Sequence, residues 1–384
     1  MKLTKTLVFA AVTAVFSAGA HAQSSVTLYG SLDAGFAYIN KVGGGALLAQ
    51  TSGVLSNNYW GLRGVEDLGG GNRAIFKVES GFNVGNGRLG EWLSAGAGQG
   101  LFNRQSYVGL SNNTYGTLTL GRQYDSVVDY LAPLSLAGKG VNLAAHPFNN
   151  DNIGAQYAIS NAIKYESANY AGFHFGGMYS FSNSTDFTAG RQWSVGAAYD
   201  SGPLKVAAVY DQLTNSNTGA LSGAAASDGE WIPAKTQRTF GVGANYSYGP
   251  ATAGLLWTRT KYQGATTADG ALAGGDLRLD NIEVNGVYGL TPALLLVGNY
   301  TFTYGKASQK GASDSLRWHS VALGADYSFS RRTDVYVAAV YQHATGGDRL
   351  GSTTELGGTN FAGMLPASGT QNQAGVATGI RHRF

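Results

Sequence analysis

The chain of 384 residues contains no cysteine, which excludes disulfides and thiolate metal sites, and its formal net charge of +3 gives no basic field for nucleic acid. Charged residues make up only 13% of the sequence, whereas glycine (57) and tyrosine (22) are abundant. The mean hydropathy of −0.09 is too polar for a bundle of membrane helices. This composition is typical of a transmembrane β-barrel.

The first 22 residues have the pattern of a secretory signal peptide. Lys2 and Lys5 precede the apolar run 7–16, and Ala20-His21-Ala22 provides a small-x-small cleavage site. The apolar run is too short to span a bilayer, which argues against an N-terminal anchor. We therefore expect residues 1–22 to be removed and residues 23–384 to form one transmembrane barrel domain. Loss of the two lysines lowers the formal net charge from +3 to +1.

Most of the remaining chain alternates between apolar and polar residues with a period of two, which predicts β-strands. In one such segment, Ile282, Val284 and Tyr288 share a face, while Glu283 and Asn285 lie on the other. The pattern predicts an all-β fold with sixteen strands at 25–39, 57–66, 72–82, 103–111, 116–124, 161–168, 172–182, 191–200, 203–212, 237–248, 250–261, 279–290, 292–305, 316–329, 332–343 and 374–384.

The second face of these strands distinguishes a membrane barrel from a soluble sandwich. It carries mainly Gly, Ser, Thr, Asn and scattered charges, which suits a water-filled lumen, while the apolar face suits lipid. Short turns alternate with long polar connections such as 214–235, 263–278 and 344–373, as in outer-membrane barrels. An antiparallel barrel of about sixteen strands leaves an aqueous channel, whereas about eight strands would be filled by side chains.

The last predicted strand places Val376, Ile380 and Phe384 on one face. A closed barrel needs such a strand at its end, because the last strand must pair with the first and leave no edge.

The connection between Arg122 and Asn161 is more than thirty residues long and differs from the other loops. It contains the apolar segments 127–131 and 147–148 together with several carboxylates. Loops of this length are usually functional or disordered, and apolar anchors favour order. The segment could therefore fold into the lumen and narrow it, although the residues alone are equally compatible with an exposed loop.

Several motifs resemble the general porins of betaproteobacteria, and the match runs along the whole chain. They are Ser25-Val26-Thr27-Leu28-Tyr29-Gly30, Trp60-Gly61-Leu62-Arg63-Gly64, Glu79-Ser80-Gly81-Phe82, Asn103-Arg104-Gln105, Leu120-Gly121-Arg122-Gln123, Arg331-Arg332-Thr333-Asp334-Val335-Tyr336 and Arg381-His382-Arg383-Phe384. The resemblance implies an outer-membrane homotrimer of sixteen-stranded barrels, each with its third loop folded inward, that passes small hydrophilic solutes by diffusion. It implies no cofactor, and as partners the membrane lipid, lipopolysaccharide and the barrel assembly machinery.

The resemblance also implies a constriction with one basic wall and an acidic third loop. Strand parity directs Arg63 and Lys164 inward, and Arg104 occupies the family's Asn-Arg motif. Asp125 and Asp129 are the expected acidic groups. A transverse field between such groups would filter ions and dipolar solutes without a tight binding site.

The chain departs from the family pattern at two positions, where Tyr59 and the segment containing Ala158 replace basic residues. The sign of the ion selectivity therefore stays open at this stage.

Two further positions have expected roles outside the pore. Parity directs Arg122 outward, where the resembling porins bury this site at the subunit interface, and Glu91 of the second loop is its expected partner. The alternative is that Arg122 reaches the lipid headgroups. The terminal Phe384 resembles the signal that the barrel assembly machinery recognises.

Enzymatic function is not expected, because none of the six histidines lies in a nucleophile-elbow or HExxH context. The remaining alternative is a channel selective for anionic or sugar-like solutes. A sugar channel would need an aromatic track along the lumen, for which Tyr59 and Tyr130 are candidates.

Overall fold

The computed structural model describes residues 24–90, 100–183, 185, 190–214, 232–267, 272–347, 359 and 368–384. The described part contains seventeen β-strands. They are β1 (Ser25–Val42), β2 (Gly45–Ser52), β3 (Tyr59–Gly69), β4 (Asn72–Gly81), β5 (Gln105–Asn112), β6 (Gly116–Gln123), β7 (Ile159–Glu166), β8 (Phe173–Ser180), β9 (Arg191–Ser201), β10 (Leu204–Thr214), β11 (Thr236–Tyr248), β12 (Ala251–Thr266), β13 (Ala273–Thr291), β14 (Leu294–Gln309), β15 (Ala312–Ser328), β16 (Thr333–Thr345) and β17 (Asn372–Arg383).

The strands form one closed antiparallel sheet, because β17 pairs back onto β1. Strand β1 pairs with β3 over residues 25–31 and with β2 over residues 34–42, so β2 and β3 together fill one position in the wall. The wall therefore has sixteen positions, which confirms the predicted sixteen-stranded barrel. The prediction missed β2, because Ala46, Leu47, Leu48 and Ala49 are four consecutive apolar residues without a period of two.

The two faces of the wall follow the predicted polarity. Large apolar side chains such as Leu255, Val284 and Tyr300 are exposed on the outside. On the inside, polar side chains such as Thr258 and Asn281 are buried beneath a loop that occupies the lumen. This inverted arrangement, apolar outward and polar inward, is the one that lipid requires.

Strand ends differ from the prediction on the side of the long loops. The segment 263–278 was expected to be a loop, but β12 continues to Thr266 and β13 already begins at Ala273. These extensions are polar on the outward face, whereas Tyr262, Ala265 and Leu277 are buried inside, so they lack the outward apolar period on which the prediction depended. They show that the wall rises on this side above the band of outward apolar residues.

The helical structure in the described part is short and lies within residues 124–158. It consists of a π-helical turn at Val127–Leu131 and 3₁₀ turns at Ala132–Leu134, Asn142–Ala144 and Pro147–Asn149. None of the described helices is long and apolar enough to cross a membrane.

Close backbone packing joins β1 and β17 at the seam where the barrel closes. A Cβ atom on Gly35 would lie 2.1 Å from the backbone oxygen of Thr378 on β17. By contrast, a Cβ atom on Gly45, at the start of β2, would meet no atom within 4 Å. Only glycine therefore fits at position 35 without moving the two strands apart.

We predict that Gly35→Ala destabilises the barrel by about 1–3 kcal/mol, because the added methyl group must displace a paired strand. The matched variant Gly45→Ala should unfold like the parent. The fraction of protein that keeps its fast, unheated gel mobility after stepwise heating would measure both. Equal unfolding of the two variants would contradict the tight seam.

Candidate pore constriction

Residues 124–158, here called the inner loop, cross the lumen and pack against its far wall. Tyr130 and Leu131 are buried against glycines of β9 and β11. A Cβ atom on Gly196 would lie 2.4 Å from the Tyr130 ring, and one on Gly241 would lie 2.4 Å from the Leu131 side chain. The wall is therefore lined with glycine where the loop approaches it most closely, and the predicted inward fold of the third loop is confirmed.

A buried cluster of three charged side chains, the loop clamp, fixes the middle of the inner loop to β13. His146 Nδ1 lies 2.6 Å from Asp151 Oδ2, and His146 Nε2 lies 3.1 Å from Glu283 Oε2. Glu283 also accepts a hydrogen bond of 2.9 Å from the backbone N–H of Leu136. The side chains of His146, Asp151 and Glu283 are completely buried. A buried cluster in which every charged group has a partner allows the loop only one position, because any displacement of the loop leaves a buried charge unpaired.

The pKa values of the loop residues show that this clamp is charged. Burial by itself lowers the pKa of His146, but the carboxylates of Asp151 and Glu283 outweigh burial and raise it to about 10. Burial likewise favours a higher pKa for Asp151, and the His146 imidazolium outweighs that effect and lowers it. At neutral pH the clamp is therefore an imidazolium between carboxylates.

Amide and hydroxyl groups extend the attachment toward the long-loop side. The Thr258 hydroxyl donates to Asp151 Oδ2 at 2.6 Å. The backbone oxygen of Asn150 accepts hydrogen bonds from the Tyr262 hydroxyl at 3.0 Å and from Gln237 Nε2 at 3.1 Å. The loop thus contacts three consecutive strands, β11, β12 and β13, through polar groups as well as through its apolar residues.

Opposite this attachment, five side chains of β1, β3, β4 and the residues before β5 form the wall cluster: Tyr29, Arg63, Lys77, Glu79 and Arg104. Arg104 Nε donates to Glu79 Oε1 at 2.6 Å, and Lys77 Nζ lies 3.2 Å from Glu79 Oε2. The Tyr29 hydroxyl donates to the same Oε2 at 2.9 Å. The Arg63 guanidinium lies 5.2 Å from the centre of the Tyr29 ring. Among the described residues, the cluster therefore holds three cations and one carboxylate, which is an excess of two unit positive charges.

The structure places the two expected loop carboxylates differently. Asp129 faces Lys164 of β7, with 2.5 Å between Oδ2 and Nζ. Asp125 is fully buried and accepts hydrogen bonds from Asn152 Nδ2 at 2.7 Å and from the backbone N–H of Val127 at 2.8 Å. Burial raises the pKa of Asp125, and these hydrogen bonds oppose the rise. Asp125 therefore stabilises the beginning of the inner loop. The charges of Lys164 and Asp129 neutralise each other.

Arg104, which was expected to face Asp125 or Asp129, pairs with Glu79 instead. Glu79 was not among the expected site residues, nor were His146 and Glu283. Strand parity could have found two of them, since Glu79 and Glu283 alternate with apolar residues and so face inward. No sequence pattern identifies His146, because its two partners are set by how far the loop reaches.

Two of the remaining candidate residues, Arg122 and Phe384, are described and belong to the outer surface of the barrel. Arg122 faces outward, as expected from parity, where Nε donates to the Asn103 backbone oxygen at 2.6 Å and Nη1 donates to Ser160 Oγ at 2.7 Å. Its expected partner Glu91 lies outside the described residues. Phe384 exchanges two backbone hydrogen bonds of 3.1 Å with Gly30 of β1. The last residue thus takes part in closing the barrel.

Comparisons with known proteins agree with this architecture. Residues 9–347 match the family model described as Gram-negative porin. An outer membrane porin protein of Bordetella pertussis is 31% identical over the full length of both chains. The solved anion-selective porin from Comamonas acidovorans has 25% identity and a TM-score of 0.68, covering 94% of this chain and 100% of that one. The trimer form of OmpT from Vibrio cholerae shares the fold, with 18% identity, a TM-score of 0.61 and coverage of 94% and 99%.

A closed sixteen-stranded barrel, apolar outside and narrowed inside by a docked loop, is a diffusion channel of the outer membrane and not an enzyme. The chain belongs to the Gram-negative porin family.

We predict that the loop clamp weakens at high pH. The folded pKa of His146, about 10, lies above the ordinary 6.5, so the stabilisation is complete below about 6.5 and is lost as the pH rises toward 10. Protease cleavage within residues 125–158 should therefore increase between pH 6 and pH 10.5. His146→Gln should show the increase already at pH 6, since it leaves two buried carboxylates without a cation, at a cost of about 3–5 kcal/mol.

His382 provides the control, because it lies exposed near the end of β17 and contacts Thr333. His382→Gln should be cleaved like the parent at each pH. Indistinguishable cleavage of His146→Gln and the parent at pH 6 would show that the clamp does not hold the loop.

Proposed function

We propose that this porin favours small anions over cations, and that the wall cluster supplies the preference. The observation that carries the proposal is the charge imbalance in that cluster, where the described residues comprise the cations Arg63, Lys77 and Arg104 and the single carboxylate of Glu79. The other expected pair, Lys164 and Asp129, adds no net charge. Fixed charges at the narrow part of an aqueous pore raise the local concentration of counter-ions. The solved relative described as anion-selective supports the same sign.

The aromatic residues of the lumen do not favour a sugar channel. The Arg104 guanidinium lies 5.0 Å from the centre of the Tyr59 ring, and Tyr130 stacks on His174 at 5.6 Å. Because each of these rings already has a cation or another ring against a face, they offer no continuous track on which a sugar could slide. We therefore propose general diffusion with an anion preference, and not a dedicated sugar pathway.

We also propose that the protein works as a homotrimer with Arg122 at the subunit interface. Arg122 is partly buried on the outward face of β6, beside the exposed Leu118 and Leu120. A cation on the outside of a barrel is costly in lipid, and a neighbouring subunit would remove it from lipid. Glu91 remains its proposed partner, and residues 1–22 remain the proposed signal peptide.

Lipopolysaccharide is the proposed lipid partner, and one feature of the outer wall supports it. Arg238, Lys261, Arg278 and Lys306 are directly paired across β11, β12, β13 and β14, and we call them the outer cation row. Like charges placed directly opposite each other destabilise a sheet, so the row needs an anionic partner. Asp280 compensates only in part, at 3.1 Å from Arg278 Nε.

The position of the outer cation row fits a headgroup site. It lies on the long-loop side of an outward aromatic pair, Phe240 and Trp257, whose ring centres are 5.5 Å apart. Aromatic belts mark the membrane interface, and cations just beyond them meet lipid phosphates. Lys261 and Lys306 form no ion pair with other described residues, so both ammonium groups can bind phosphate.

The selectivity proposal predicts that Arg104→Ala shifts the zero-current potential toward cations. The change removes one of the two excess charges, and one unit charge about 7 Å from the ion path through water changes the energy of a monovalent ion by about 0.6 kcal/mol. Because cations and anions change in opposite directions, this is equivalent to roughly a sevenfold change in permeability ratio before screening. Arg104→Ala combined with Glu79→Gln restores two excess charges and should restore the parent value. Salt at 1 M should reduce the shift by screening.

Lys261→Ala, on the outer wall, is the control and should leave the potential unchanged. A cation-selective parent channel, or a double variant that is more cation-selective than Arg104→Ala, would contradict the role of the wall cluster.

The outer cation row predicts that the double variant Lys261→Gln with Lys306→Gln binds lipopolysaccharide more weakly by an order of magnitude or more. The reason is that each lysine near an anionic lipid surface contributes about 1 kcal/mol to binding. The amount of lipopolysaccharide retained by the detergent-purified protein would be measured. Arg63→Gln with Lys77→Gln removes the same charge from the lumen and should retain the parent amount. Equal loss in both double variants would show a general charge effect and no headgroup site.

Phe384 is the proposed assembly signal, and its deletion should lower the amount of heat-dissociable trimer in the outer membrane several-fold. The deletion removes the aromatic ring and the two backbone hydrogen bonds to Gly30. The Phe384→Tyr variant keeps an aromatic ring and these two hydrogen bonds, so it should assemble normally. Unheated gel mobility measures the yield, and the mass of the product shows whether it begins at Gln23. An unchanged yield would limit Phe384 to packing.

A further inference from the structure

A cavity of about 260 Å³ lies inside the barrel, between the inner loop and the wall on the side of the short turns, and we call it the lower recess. The backbone of residues 139–141 forms its roof. Its wall comes from the short-turn ends of β13, β14, β15 and β17, which places Val287, Leu295, Asp326 and Arg381 around it. The recess therefore lies on the opposite side of the loop from its polar attachment to β11 and β12.

The floor of the recess is apolar, contrary to the rule for a water-filled lumen. Val287 shares the inward face with Asn285, and Leu295 and Val297 share it with Asn299. Leu295 keeps 39% of its surface exposed. Apolar surface that faces water inside a pore gains free energy when the apolar part of a solute covers it.

The opposite end of the recess offers hydrogen-bond donors with positive charge. Lys139 Nζ donates to Asn285 Oδ1 at 2.7 Å and to the Leu134 backbone oxygen at 3.2 Å, which uses two of its three donors. Arg381 donates from Nε to Asp334 and from Nη2 to Asp326, and its Nη1 faces Gly140 in the roof. Both side chains therefore retain donors for an anionic acceptor.

The charges that line the recess indicate which anion fits. Arg381 and Arg383 pair with Asp326 and Asp334, so two cations balance two carboxylates and the Lys139 ammonium is the positive charge in excess. Asp326 Oδ1 is buried and accepts no hydrogen bond from the described residues. A second carboxylate on the solute would meet this oxygen and be repelled, whereas one carboxylate balances the charge.

We propose that the lower recess binds aliphatic monocarboxylates, with the carboxylate toward Lys139 and Arg381 and the chain on Val287, Leu295 and Val297. The proposal rests on the proposed anion preference, since the anion must first enter the lumen. It adds a selectivity that the wall cluster cannot provide, because the wall cluster recognises charge and the recess recognises charge together with an apolar chain.

The test is block of the chloride current by organic acids, with the purified protein in planar bilayers. Hexanoate should block in a saturable manner, at a concentration about tenfold below that needed for acetate, which has the charge without the chain. Hexanedioate, with the same chain and a second carboxylate, should behave like acetate. Block should be stronger when hexanoate is added on the short-turn side.

Two variants change the recess and one control changes the opposite wall. Leu295→Ser should raise the half-blocking hexanoate concentration about fivefold and leave the effect of acetate unchanged, because acetate has no chain to contact the floor. Lys139→Gln should raise the half-blocking concentrations of hexanoate and acetate alike, about fivefold, because both solutes carry the carboxylate. Lys77→Gln removes one charge from the wall cluster and should leave the ratio of hexanoate to acetate as in the parent. Val297→Thr provides a second apolar change if Leu295→Ser yields no folded channel.

Equal block by hexanoate and acetate, or a Leu295→Ser channel that folds and keeps the parent ratio of hexanoate to acetate, would overturn the recess as a binding site. Such a result leaves the chloride preference of the channel intact. A parent channel that prefers potassium to chloride would instead contradict the proposed function, so the two failures are distinguishable.

Discussion

The absence of water inside a bilayer is the constraint on which this structure depends, because every backbone N–H and C=O in the hydrocarbon must find a partner within the protein. Pairing of β17 with β1 meets this requirement by leaving no strand edge. The close approach at Gly35 and the bonds between Phe384 and Gly30 complete the seam. Closure also fixes the side-chain pattern, since each wall residue must face either lipid or the lumen.

A barrel of sixteen strands is wide, so the wall alone cannot select among small solutes. Selection requires the inner loop, and the loop requires attachment across the lumen. Glycines on β9 and β11 allow Tyr130 and Leu131 to approach the wall, and the loop clamp fixes His146 between Asp151 and Glu283. Apolar packing gives the loop its affinity for the wall, while the buried charges allow one position only.

The attached loop divides the lumen into two chemically different parts. On one side, the wall cluster holds an excess of two positive charges close to Glu79. On the other side, the lower recess combines the cations Lys139 and Arg381 with an apolar floor. Charge acts over several ångströms through water, whereas apolar contact acts only where surfaces touch. A solute therefore meets a long-range filter and a short-range one in the same channel.

The sequence by itself determined the strands, their inward and outward faces and the closed barrel, because a period of two is a local property that lipid and water impose on every residue. Parity put Arg122 outside and Glu283 inside, and the structure has both on those faces. Only the tertiary structure decided which charges meet. Arg104 pairs with Glu79 and His146 with Glu283, since these contacts depend on register and on how far the loop reaches across the lumen.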